Sequence, residues 1–101
     1  MTATSVYVIS EVEVVDEELA DSYRALAEDS IRRHGGRYLV RGALPDAVEG
    51  AWPASERLVV LEFPDAERAR EWYASAEYAP TLKLRQSALE RRLLFVDGVS
   101  G

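Results

Sequence analysis

Cysteine is absent from this 101-residue chain, so no disulfide can staple it and no thiolate is available as nucleophile or metal ligand. Histidine occurs once, as His34, which makes a histidine-rich metal site implausible. Lysine also occurs once, as Lys83; the remaining basic residues are arginines, and the net charge is −6. An acidic balance is the reverse of the phosphate-tracking surface of a nucleic-acid protein, so no nucleic-acid partner is expected. No apolar run approaches the roughly 20 residues that a membrane span needs. The start, Met1 to Ser5, lacks the basic and apolar regions of a secretory leader. A cytoplasmic location without a membrane partner is the expectation. Phosphate loops, dinucleotide glycine patterns and metal-ligand clusters are missing too, so neither metal nor cofactor is expected.

What remains is one domain, 1–101, with no repeats and no linkers. Ser5 to Glu13 is rich in Val, Ile and Tyr and reads as a strand. Asp16 is a good N-cap, and the acidic Glu17 and Glu18 suit the positive end of a helix. Leu19, Tyr23, Leu26, Ala27 and Ile31 recur at helical spacing until Gly35-Gly36 stops the helix. Arg37 to Arg41 forms a short strand. The loop Leu44 to Pro53 follows, in which Ala47-Val48-Glu49 has room for a short edge strand. Arg57 to Phe63 is the clearest strand. Asp65 caps the next helix, Ser75 to Tyr78 bends or breaks it, and Pro80 opens a further helix to about Leu89. Arg91 to Asp97 is the last strand, and Gly98 to Gly101 a frayed tail.

The order βαββαβ predicts an α+β, ferredoxin-like fold: a four-stranded antiparallel sheet with helices on one face. Alternation then exposes a problem. Val6, Val8, Val12 and Val14 oppose Tyr7 and Ile9; Val59, Leu61 and Phe63 oppose Leu58 and Val60; Leu93 and Phe95 oppose Leu94 and Val96. A sheet with one wet face should be polar at alternate positions, and this one is not. Burying a Val, Leu or Phe contributes about 1.5–3 kcal/mol. The second face therefore calls for a cover, and a second copy of the chain supplies it, giving a dimeric α+β barrel.

A resemblance enters with Gly35-Gly36-Arg37-Tyr38-Leu39-Val40-Arg41-Gly42, Glu49-Gly50, Arg57 to Asp65, Trp72-Tyr73 with Ser75, Glu77 and Tyr78, Leu84-Arg85 and Val96-Asp97-Gly98. Over nearly its whole length the chain is similar to the bacterial family known as domain of unknown function 1330. The resemblance implies membership of the dimeric α+β barrel superfamily. That superfamily includes cofactor-free monooxygenases, haem-degrading enzymes, chlorite dismutase-like proteins and muconolactone isomerases. It implies the fold and the homodimer and leaves the reaction open.

Several residues admit two readings. Glu62 interrupts an apolar strand, where an unpaired carboxylate is costly. Either it pairs with Arg37 or Arg41, which has the stronger physical case, or it is a general base in a pocket. Arg37 and Arg41 flank Leu39 on one strand face, as a clamp for an anionic ligand or as ordinary ion-pair partners. His34 is either a cap at the helix end or an acid–base group. Trp72, Ser75 and Tyr78 cluster at the helix bend, as core or as a pocket lining, with Arg85 within reach. The first functional reading is a homodimer binding a small anionic or carbonyl compound, with proton transfer or cofactor-free oxygenation as its chemistry. The second is a non-catalytic dimeric module.

Overall fold

A computed structural model describes residues 4–99. The elements are β1 (Val6–Val14), α1 (Glu17–Arg33), β2 (Arg37–Ala43), β3 (Glu56–Phe63), α2 (Ala66–Ala74), α3 (Ala79–Ala88) and β4 (Leu89–Asp97). The sheet is antiparallel throughout, in the order β2-β3-β1-β4. This is the expected ferredoxin-like arrangement. The helices are set where the sequence signals put them. Asp16 accepts the Leu19 N–H at 3.1 Å, and Asp65 accepts the Arg68 N–H at 2.8 Å. At the end of α1, the Gly36 N–H reaches the Ile31 carbonyl at 2.9 Å and the Gly35 N–H reaches Arg32 at 3.1 Å. That pair of bonds needs a left-handed residue after the cap, and Gly35 supplies it at φ 81°.

Three expectations change in detail. Residues 44–55 form a loop with no edge strand at Ala47–Glu49. β4 begins at Leu89, directly on the end of α3. The tail expected over 98–101 lies partly outside the described residues, and Gly98 is held, its N–H donating to Ser5 O at 2.8 Å.

The core lies between helices and sheet. Val6, Val8, Val12, Leu61, Phe63 and Leu89 meet Ala20, Tyr23, Ala27, Ile31, Ala69, Trp72 and Tyr78. The other face carries three cross-strand rows. Leu94, Ile9, Val60 and Val40 make an apolar middle row. Val96, Tyr7, Glu62 and Arg37 lie on one side of it, and Arg92, Glu11, Leu58 and Ala43 on the other. Leu94 and Val96 are 50% and 42% exposed. All three helices contribute to the core on the opposite face, and no described helix packs on this one.

One strand departs from simple alternation. Tyr38 pairs with Leu61 while Val40 pairs with the next residue, Val60, so Leu39 is an extra residue. Gly42 is a second, between the Arg41–Val59 and Ala43–Leu58 pairs, with φ 81°. These bulges rotate β2 between faces. The expectation that Arg37 and Arg41 share a face is thereby corrected: Arg37 lies on the open face and Arg41 on the helix face.

Candidate functional site

A cavity of about 60 Å³ lies between α1 and the helix-facing side of the sheet. Its walls are mainly apolar, with Val8, Val12, Val59, Leu61, Leu89 and Leu93 from the strands and Ile31 and Trp72 from the helices. Polar groups are few and grouped. β1 contributes Ser10, α1 contributes Tyr23, and β4 contributes Arg91. Arg24, Tyr38, Arg41 and Gly42 complete the lining.

Tyr23, Arg91 and Tyr78 form one hydrogen-bonded cluster. Arg91 Nη1 donates to Tyr23 Oη at 2.6 Å and Nη2 donates to Tyr78 Oη at 2.8 Å. The two phenol oxygens are 2.7 Å apart. Burial pushes the Tyr78 phenol far above its ordinary range, with the neighbouring Tyr23 acting the same way. Burial works against the Arg91 charge, but the two phenol oxygens outweigh it and the net shift is upward. Arg91 is therefore a fixed cation whose hydrogen-bond partners are two phenols and no carboxylate. Arg24, Arg37, Arg41 and Arg92, by contrast, each pair with a carboxylate. Ser10 is 3% exposed, and its hydroxyl has no partner.

The helix bend positions Tyr78. Ser75 Oγ donates to the Trp72 carbonyl at 2.8 Å and accepts the Tyr78 N–H at 3.1 Å. Both hydrogen bonds of Ser75 go to backbone, so it sets the turn and stays out of the cavity lining. Trp72 packs on Tyr78 with ring centroids 4.5 Å apart and planes tilted by 44°, and its indole N–H donates to Ser30 Oγ at 3.1 Å.

The other residues singled out from the sequence lie elsewhere. Glu62 and Arg37 pair across the open face at 2.7 Å. Arg41 binds Glu28 at 2.7 and 3.2 Å and lies 4.8 Å from the Tyr38 ring centroid, at the edge of the cavity. Hydrogen bonding to Arg41 holds the Glu28 carboxyl below its usual range. His34 caps α1, with Nδ1 donating to the Ser30 carbonyl at 2.9 Å. Arg85 on α3 does not line the cavity, and its Nε is unpartnered. Trp52 donates to Glu56 O at 2.8 Å and closes the loop upon itself. Thus Trp72 lines the cavity and Tyr78 stands behind it, while the proton-handling candidates Glu62 and His34 are outside.

Sequence reading missed Tyr23, Ser10 and Arg91 as a group. Their signal was present: Ser10 interrupts the column Val6, Val8, Val12 on the buried side of β1, and Arg91 interrupts Leu89, Leu93, Phe95 on β4. Polar residues in apolar columns of adjacent strands mark a polar spot inside the core. Chemically, the cavity offers hydrogen-bond donors and three arginines to an oxygen acceptor, of which Arg24 and Arg41 are paired with Asp21 and Glu28 and Arg91 bonds only phenols. Its lining includes no carboxylate or imidazole. Among the described residues no group of three or more His, Cys, Asp or Glu is placed to hold a metal ion, and no helix is long and apolar enough to cross a membrane.

Comparison with solved structures places this geometry in a known setting. RPA0582, a protein of unknown function from Rhodopseudomonas palustris, superposes with a TM-score of 0.80 at 16% identity, over 97% of this chain and 85% of that one. SnoaB, a cofactor-independent oxygenase from Streptomyces nogalater, superposes with a TM-score of 0.70 at 14% identity, over 98% and 97% of the two chains. PA3566 from Pseudomonas aeruginosa gives 0.68 at 12% identity, over 99% of each chain. These likenesses establish the fold. No curated protein matches the chain. The model of the family described as domain of unknown function DUF1330 matches residues 5–99. With nearly the whole chain inside that match, the protein belongs to the DUF1330 family.

Proposed function

We propose that this protein is a homodimeric small-molecule-binding protein whose ligand enters the cavity between α1 and the sheet. The observation that carries this reading is the Arg91–Tyr23–Tyr78 cluster, a half-buried cation hydrogen-bonded to two phenols and to no carboxylate, beside a mainly apolar cavity. Such a group is unfavourable to folding unless something else compensates it. A cavity with apolar walls and a few convergent polar groups is the usual form of a ligand site. Two copies meeting through the open sheet face would cover the apolar middle row. The flanking rows present the ion pairs Glu62–Arg37 and Glu11–Arg92, so each is close to neutral and self-compatible across such a contact.

If the cavity is catalytic, its donors suit stabilisation of a developing oxyanion, as in cofactor-free oxygenation of a small carbonyl or enol compound. The likeness to SnoaB supports that chemistry by analogy of fold. The lack of a carboxylate or imidazole in the lining favours binding over proton abstraction by a side chain.

Native mass spectrometry of freshly purified protein tests both parts. The expected spectrum shows a dimer carrying a small organic molecule that is lost on activation in the gas phase. A monomer at micromolar concentration overturns the assembly. A dimer free of small molecules, whose Trp72 fluorescence also fails to respond to a panel of small acids and ketones, overturns the ligand site.

A further inference from the structure

Proton accounting in the buried cluster leaves one donor without an acceptor. Tyr78 is fully buried, and its hydroxyl meets only Tyr23 Oη and Arg91 Nη2. Burial keeps it protonated. A guanidinium has no lone pair to offer, so Tyr23 Oη is the one acceptor the Tyr78 proton can use among the described residues, and we assign that direction to the bond between the two phenols. The same oxygen accepts from Arg91 Nη1. Tyr23 Oη thus receives two donors, and its own proton has no acceptor among the described residues. Unlike Tyr78, Tyr23 lines the cavity.

Ser10 supplies a second unmatched hydroxyl in the same lining. In register, Val12 pairs with Arg91 and Ser10 with Leu93. Ser10 and Arg91 are therefore diagonal neighbours on one face of adjacent strands. Glu11, Glu13, Glu56 and Glu90 line a neighbouring groove with Arg91, and none of them makes a hydrogen bond to it. Unmatched hydroxyls beside a half-buried cation with no directly bonded carboxylate favour a ligand that brings acceptors and negative charge.

We propose that the ligand is a short-chain carboxylate, whose oxygens accept the Tyr23 and Ser10 hydroxyl protons while Arg91 supplies the balancing charge. Tyr78 is a positioning residue: it donates to Tyr23 and so turns the Tyr23 proton toward the ligand. Val8, Val12, Leu61 and Leu89, which line the same cavity, would receive the short alkyl part. A neutral carbonyl compound would satisfy the hydroxyls but leave Arg91 uncompensated. This inference rests on the cavity being a ligand site.

The test uses the full chain, titrated with sodium propionate and, separately, with its neutral isostere propionamide at constant ionic strength. Binding is read from the NMR shift of the Trp72 indole and the tyrosine rings. Propionate is expected to shift them saturably, with propionamide at least tenfold weaker. Tyr23→Phe should weaken propionate tenfold or more, and Ser10→Ala about threefold. Ser10→Ala removes only an unpaired hydroxyl, so it keeps the test available should Tyr23→Phe fold poorly. Equal binding of the two probes overturns the carboxylate assignment and leaves the cavity a small-molecule site. Shifts from neither probe overturn the short-chain carboxylate assignment, and native mass spectrometry with the panel of small acids and ketones then decides separately whether the cavity is a ligand site. Propionate affinity unchanged in Ser10→Ala and in folded Tyr23→Phe overturns the assigned donors.

Discussion

Ser30 shows how closely the site depends on one small side chain. Its hydroxyl donates to the Ala27 carbonyl at 2.9 Å and accepts the Trp72 indole N–H at 3.1 Å, while its own carbonyl receives His34 Nδ1. Trp72 is 1% exposed, so its N–H has no water to turn to. Ser30→Ala should therefore cost about 1–3 kcal/mol, the penalty of a buried donor left unpaired, well above the effect of an ordinary serine on a helix. Urea unfolding measures it, and a loss under about 0.5 kcal/mol would mean that the indole finds another acceptor. Arg91 shows the opposite economy. A half-buried cation held by two phenols adds little to stability compared with an apolar side chain of its length. Under the proposed function, Arg91 and the unpaired Ser10 hydroxyl serve the ligand.

At the scale of elements, β2 decides which residues can meet. The extra residue Leu39 carries Arg41 to the helix face, and the second bulge at Gly42 brings Ala43 back to the open face. Gly42 has φ 81°, and a Cβ added there would meet nothing within 4 Å. The cost of a substitution is therefore conformational alone. Gly42→Val should lose about 1–2 kcal/mol while Gly42→Asn, which tolerates left-handed backbone, loses clearly less. Thermal melts compare the two, and equal losses would mean that the bulge rearranges instead of being strained. This bulge also marks the limit of what the sequence made legible. Helix caps at Asp16 and Asp65, the glycine stop after α1, the strand order and the break at Ser75 were readable, because each is a local signal with one physical outcome. The faces of Arg37 and Arg41 were not, because strict alternation assumes an unbroken ladder, and Arg37-Tyr38-Leu39-Val40-Arg41 looks the same with or without an inserted residue. The site was half legible. Trp72 and Tyr78 stand out as aromatics at a bend. Tyr23 and Arg91 lie far apart in the chain on α1 and β4, and only the packing of α1 and α3 over β4 brings both to Tyr78.

For the molecule as a whole, the open face is the remaining question. Its middle row, Leu94, Ile9, Val60 and Val40, is apolar from edge to edge, and Leu94 is half exposed in the single chain. A partner sheet would dry this row, and a carboxylate placed at its centre would then have to lose its hydration without a counter-charge nearby. Val60→Glu is the direct probe. It lies on the open face, between Ile9 and Val40, and faces away from the cavity. If two copies meet here, the variant should run as a monomer in analytical ultracentrifugation at concentrations where the parent is dimeric. Its melting temperature should also lose the rise with protein concentration that mass action gives a dimer. If the face is simply wet, Val60→Glu changes neither the sedimentation coefficient nor the concentration dependence, and replacing this half-buried side chain costs about 1 kcal/mol. The two outcomes differ in kind because the substitution removes no contact to the helices, so a loss of dimer cannot be attributed to a damaged core. Because the cavity lies on the other side of the sheet, a folded monomer should still bind propionate through Tyr23 and Ser10. The dimer and the ligand site can therefore be tested one without the other.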